Sequence, residues 1–124
     1  MDKNKQTDCA SASTCAVEFT VKVIGGRWKL LILRELFGGT RRFGELGRGI
    51  KGISQRMLTQ QLRELERDGI LARKVYAQVP PKVEYSMTDR GLSLAPILEM
   101  MHQWGAAHQV VMAEEQQEAK SQVS

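Results

Sequence analysis

One stretch constrains this chain more than any other: GISQRMLTQQLRELERDGIL, from Gly52 to Leu71. Leu58, Leu62 and Leu65 recur at helical spacing, so they share one stripe of an α-helix that must face a core. Ser54, after the Gly52-Ile53 break, is a good amino-terminal cap, and Gly69 after Asp68 is a natural stop. Met57 stands where a capping box would need Glu or Gln. At about 3.6 residues per turn the face opposite the leucines centres on Arg56, Gln60, Arg63 and Arg67, with Gln55 and Thr59 on its flanks. The acids Glu64, Glu66 and Asp68 are confined to the later turns. A rod of this kind lays its leucines on a body built by other segments and turns a glutamine-and-arginine side outward.

Upstream, a helix opens near Thr14 or Cys15, runs through AVEFTVKVI and breaks at Gly25-Gly26. RWKLLILRELF is apolar on nearly all sides, the mark of a buried helix, and Gly38-Gly39 ends it. Residues 40–42 form a connector or a brief strand. RFGELGRGI reads as a short helix, although Gly47 and Gly49 each weaken it by about 1 kcal/mol relative to Ala. Downstream, ILARKVYAQ and KVEYSMT read as strands, the second alternating Val83, Tyr85 and Met87 against Glu84 and Ser86. Pro80-Pro81 cannot enter a ladder, so the hairpin carries an extended loop at its tip. Thr88 is expected to cap one long last helix, TDRGLSLAPILEMMHQWGAAHQVVMAEE, with Pro96 a candidate kink. Its apolar stripe, including Leu98, Met101, Trp104, His108 and Val111, is long for so small a domain and calls for a partner. A second copy of the chain is the commonest solution, with Val17 and Phe19 of the first helix joining the interface. Packing of the stripe on its own core is the plainer alternative.

These elements make a mainly α chain with a small β-hairpin. Residues 1–13 read as a flexible polar leader, 14–113 as one domain including the last helix, and 114–124 as a polar tail that frays. Helices followed by a two-stranded hairpin describe a winged helix-turn-helix, with dimerisation helices at either end.

Charge narrows the function. Residues 41–90 hold 11 Lys and Arg against 6 Asp and Glu, whereas residues 91–124 hold 1 against 4. The basic excess thus sits around the opening helix and suits a polyanion, although a modestly basic solvated face is common. In a helix-turn-helix the amino-terminal part of the second helix meets base edges in the major groove. Arg can grip guanine through two contacts and Gln can do the same for adenine. Gln55, Arg56, Thr59 and Gln60 are therefore the candidate base readers. Ser54, Arg63, Lys74 and Lys82 are the candidate phosphate contacts, with Arg73 beside them on the hairpin.

Other chemistry has little support. No apolar run approaches a membrane span, and MDKNKQTDCASAST is not a secretory signal, so a cytoplasmic protein is expected. No phosphate-cradling glycine loop and no clustered nucleophile, base and acid suggest an enzyme, and no cofactor is called for. His102 and His108 are six apart, on different sides of a helix, where metal pairs favour three or four, so no metal is expected. Two cysteines, Cys9 and Cys15, are too few for a disulfide framework and are expected to rest as thiols.

IGGRWKLLILREL, RRFGEL, GISQRMLTQQLRELERDGIL and VPPKVEYSMTDRGLSLAPIL together resemble the HxlR-type family of bacterial transcription regulators, winged-helix relatives of the MarR-type proteins. The match runs colinearly over residues 15–108. It implies a homodimer joined through the first and last helices, which represses or activates from a pseudo-palindromic operator in double-stranded DNA, repression being the expected sign. By that analogy Gly52 to Asp68 holds the recognition helix and Ala77 to Lys82 the wing. The chain departs from the family in two places: Ala16 follows Cys15 where Pro is frequent, and Gly47 and Gly49 replace bulkier residues. Cys15 matches a cysteine that in some members senses oxidants or small electrophiles. A thiol at a helix amino terminus is biased toward thiolate, the reactive form. Cys9, six positions earlier, is placed to resolve an oxidised Cys15, or stays idle. Three readings remain open: a thiol-switched regulator, a regulator that answers an effector without thiol chemistry, and a winged-helix module for an acidic protein.

Overall fold

The computed structural model describes residues 12–123, and side chains over residues 15–120. The expected leader, Cys9 included, lies outside these residues except for its last two positions. Helix α1 spans Ala12–Ile24, opening two or three residues before the expected start. Helix α2, Arg27–Phe37, buries Ile32, Leu33 and Leu36, and Gly38 and Gly39 return their N–H groups to its last carbonyls. Strand β1, Arg41–Arg42, leads into α3, Phe43–Gly49. The glycines of α3 do not dissolve it. Leu46 is fully buried, and Glu45 accepts from the Arg42 N–H at 2.7 Å, capping the first turn. At Gly49 an added Cβ would meet the Glu35 carboxylate, so the missing side chain leaves room for that acid.

Helix α4, Gln55–Arg67, forms as its sequence demands. Gly52, at φ 87, makes the turn before it, and Ser54 Oγ accepts from the Met57 N–H at 3.0 Å. Gly69, at φ 76, closes it: its N–H reaches Glu66 O, and the Ile70 N–H reaches Leu65 O at 2.9 Å. This crossed pair satisfies carbonyls that the helix end would otherwise leave bare. Leu58, Leu62 and Leu65 are buried, contributing about 1.5–3 kcal/mol each. Through them α4 packs against α2 and the start of β2.

Strands β2, Leu71–Tyr76, and β3, Lys82–Met87, pair antiparallel in the register Leu71 to Met87 through Tyr76 to Lys82. The hairpin gains a third strand, because β1 pairs with the outer edge of β3, Arg41 opposite Tyr85 and Arg42 opposite Glu84. The connector or brief strand expected at residues 40–42 is a strand at Arg41–Arg42, and one of that length exists only where a neighbour offers a free edge.

The long last helix expected from Thr88 is two helices. Asp89–Leu92 forms α5, and α6 starts afresh at Ala95 and runs to Val123. Pro96 explains the break: it has no N–H to bond back and disfavours helical geometry in the residue before it, so it fits only a first turn. Thr88 serves the short helix. Its hydroxyl accepts from the Gly91 N–H at 3.0 Å and lies 2.6 Å from Gly69 O, while its own N–H reaches Ile70 O. The polar residues after Glu114, expected to fray, continue as helix. The described residues up to Leu92 form one compact unit and those from Ser93 onward another.

Candidate nucleic-acid interface

The face of α4 opposite its leucines is open. Gln55, Arg56, Gln60, Arg63 and Arg67 are exposed and Thr59 is half-buried. Gln55, Arg56, Thr59, Gln60, Arg63 and Glu64 of α4 line an open groove of about 740 Å³ together with Phe43 of α3. A smaller recess of about 280 Å³ adjoins it at Phe43 and Gln55 and reaches Arg48 and Ser54. The structure thus brings five of the predicted contact residues together along one wall. Phe43 was missed in the sequence, where it reads only as an apolar residue opening a short helix.

Electrostatics divide this face along its length. The first turn of α4 holds no acid, so its exposed N–H groups and Arg56 carry uncompensated positive charge. Arg56 and Arg63 have no carboxylate partner among the described residues. Further along, Arg67 meets Asp68 at 3.6 Å. Ser54 Oγ accepts the cap hydrogen bond from the Met57 N–H, and its hydroxyl hydrogen is still able to donate.

Behind the face stands an ion pair that the sequence did not suggest. Lys29, in the first turn of α2, is 7% exposed, and its Nζ lies 2.7 Å from Glu64 Oε1. The Lys29 hydrogen bond holds the Glu64 carboxyl below its ordinary range, and a second from Gln60 adds to the effect. Only the i, i+4 spacing of Gln60 and Glu64 hinted at any of this, and nothing in the sequence tied Lys29 to them.

The wing is organised around an aromatic ring. Lys74, Tyr76, Lys82 and Glu84 lie on one face of the hairpin, since Lys74 is opposite Glu84 and Tyr76 opposite Lys82. The Tyr76 hydroxyl donates to Glu84 Oε1 at 2.9 Å, and Lys82 Nζ is 3.4 Å from Glu84 Oε2. Both ammonium groups sit over the Tyr76 ring, at 4.9 Å for Lys74 and 4.5 Å for Lys82. The Tyr76 hydroxyl, and then Lys82, keep the Glu84 carboxyl below its ordinary range. Lys82 is therefore partly neutralised where it stands, whereas Arg73 and Lys74 are exposed and form no ion pair among the described residues.

Cys15 lies one turn into α1, half-buried, and is disulfide-bonded rather than a resting thiol. On α1 Val17 and Phe19 are exposed; on α6 Met101, Trp104, His108 and Val111 are exposed and Leu98 is half-buried. His108 stacks on Trp104 with ring centroids 4.4 Å apart, and its Nδ1 donates to Trp104 O at 2.9 Å. A carbonyl can only accept, which assigns the Nδ1 proton. Among the described residues no helix is long and apolar enough to cross a membrane, and no three His, Cys, Asp or Glu side chains gather as metal ligands would.

A helix laid open on its Gln and Arg side, a preceding short helix and a following β-wing define a winged helix-turn-helix. The profile described as HxlR-like helix-turn-helix matches residues 23–113. The chain belongs to that family of transcription regulators. It is 53% identical over 98 residues to the HTH-type transcriptional regulator YybR of Bacillus subtilis (strain 168), covering 79% of this chain and 78% of that one. Among solved structures it is similar to the redox regulator HypR in its reduced form, with TM-score 0.76, 52% identity, and coverage of 80% of this chain and 98% of that one. It also matches HypR in its oxidised form, with TM-score 0.70, 55% identity, and coverage of 75% and 96%.

Proposed function

We propose that the chain works as a homodimeric repressor that reads a pseudo-palindromic operator in duplex DNA through α4 and is switched by the redox state of Cys15. The observation that carries the DNA reading is the amino-terminal half of α4. Gln55, Arg56, Thr59 and Gln60 stand on the wall of an open groove, on a rod anchored from behind by three buried leucines. Those residue types match major-groove base edges. In this reading Arg63, Lys74 and the Ser54 end of the helix hold phosphates, and Lys82 is a weaker contact because Glu84 shares its charge.

Self-association is supported by apolar side chains that each terminal helix leaves in water: Phe19 on α1 at 69% exposure and Trp104 on α6 at 62%. A second copy that covers both doubles the recognition helix and sets the half-site spacing. The redox reading is supported by the disulfide at Cys15 and by the similarity to a regulator solved in reduced and oxidised forms.

Fluorescence anisotropy of the full chain on promoter fragments, with salt titration, tests the central claim. Arg56→Ala should weaken operator binding by about 1–3 kcal/mol and relax one base position. Equal loss on operator and random DNA would remove Arg56 from base reading. Cys15→Ser should keep operator binding and lose the response to diamide, and an unchanged response would remove Cys15 from the switch.

A further inference from the structure

Lys29 is the buried charged residue among those described, and it sits directly behind the recognition face. Its Nζ takes Glu64 Oε1 at 2.7 Å, and the other carboxylate oxygen, Oε2, meets Gln60 Nε2 at 3.4 Å, one turn back on α4. An ionised carboxylate only accepts hydrogen bonds, so the Gln60 group turned toward it must be the NH2. The orientation of this amide is therefore dictated by chemistry. Gln60 Oε1 is left to face away from Glu64, with no donor engaging it among the described residues. Both residues line the groove along α4.

We propose that Lys29 and Glu64 are positioning residues for base readout, holding Gln60 with its carbonyl oxygen outward so that this position of α4 selects a base with an exocyclic amine. In the major groove adenine N6 and cytosine N4 are such donors, whereas guanine O6 and thymine O4 are acceptors. The second Nε2 hydrogen remains for adenine N7, so adenine is preferred over cytosine. A solvated glutamine without this backing flips its amide freely and selects less. The inference rests on the assignment of Gln60 to base edges.

The test uses the full chain and an operator selected from a random duplex library. Relative affinities are then measured for all four bases at every operator position. Gln60→Ala should flatten the preference at one position per half-site, by about tenfold. Lys29→Met/Glu64→Leu leaves net charge unchanged and replaces the pair with apolar groups. It should flatten that same position, leave affinity for random DNA unchanged, and add nothing in the Gln60→Ala background. Glu64→Gln, a smaller change whose fold is checked by circular dichroism, should act at the same position. A folded Lys29→Met/Glu64→Leu or Glu64→Gln protein that keeps the preference lost in Gln60→Ala overturns the proposal. If Gln60→Ala changes no position, the base-reading assignment itself falls and takes the proposal with it.

Discussion

Glu64→Gln should destabilise the fold more than Lys29→Met, although both break the same ion pair. Lys29 is buried and Glu64 is only partly so, with 29% of its side chain exposed. Removing the carboxylate strands an ammonium group in the interior between α2 and α4. Breaking a fully buried pair this way costs about 3–5 kcal/mol. Water and the new amide oxygen reach Lys29 through the open side of Glu64, so the expected loss is about 1–3 kcal/mol. For a chain of this size that lowers Tm by about 3–10 °C. Lys29→Met instead replaces the buried charge with an apolar side chain of similar volume and leaves a carboxylate that water can reach. Its effect should stay within about 1 kcal/mol. The Glu64 carboxyl is held below its ordinary value of 4.5 by Lys29 first and Gln60 second. Its stabilisation is therefore complete above that value and is lost as pH falls through the lower folded value. The gap between the native chain and Glu64→Gln should close under acid, and Lys29→Met should lose most of that pH slope. Thermal melts by circular dichroism from about pH 3 to 7 measure both, at one protein concentration because Tm of an associating chain depends on it. Equal destabilisation by the two variants, or a gap that persists in acid, would refute the reasoning.

Other outcomes follow from the same geometry. Gly91→Ala places a methyl group onto the Ile70 carbonyl, so it should cost about 1–3 kcal/mol in urea denaturation. Lys74→Ala should flatten the salt dependence of DNA binding by about one unit. Lys82→Ala should flatten it less, because Glu84 already offsets that ammonium at 3.4 Å; anisotropy over a salt series reads the difference. Trp104→Lys should shift the chain toward monomer in sedimentation velocity, and an unchanged coefficient would place the interface elsewhere on α6.

Much of the candidate interface is legible in the amino-acid sequence. Its α4 residues follow from period, cap and stop, because each is a local property of a few neighbouring residues. The split of the last segment is only half legible. Pro96 is visible as a disturbance, yet whether it kinks a continuous helix or opens a new one depends on whether α5 finds its own anchor. It does, through Thr88 and Arg90, whose side chains reach back to carbonyls at the end of α4. The place of Phe43 in the groove, the pairing of β1 with β3 and the wing cluster are harder to see because their meaning comes from elements distant in the chain.

What the sequence determined by itself is the recognition rod: leucine spacing, Ser54 and Gly69 specify a helix with one apolar stripe, and period alone says which side chains oppose it. Only the tertiary structure decided that Lys29 lies under that rod, that Glu64 turns inward to meet it, and that Glu84 and Tyr76 hold the wing lysines. The reason is physical. Helical period is set by bonds within a few residues, whereas an ion pair between residues 29 and 64 exists only once two helices pack and exclude water between them.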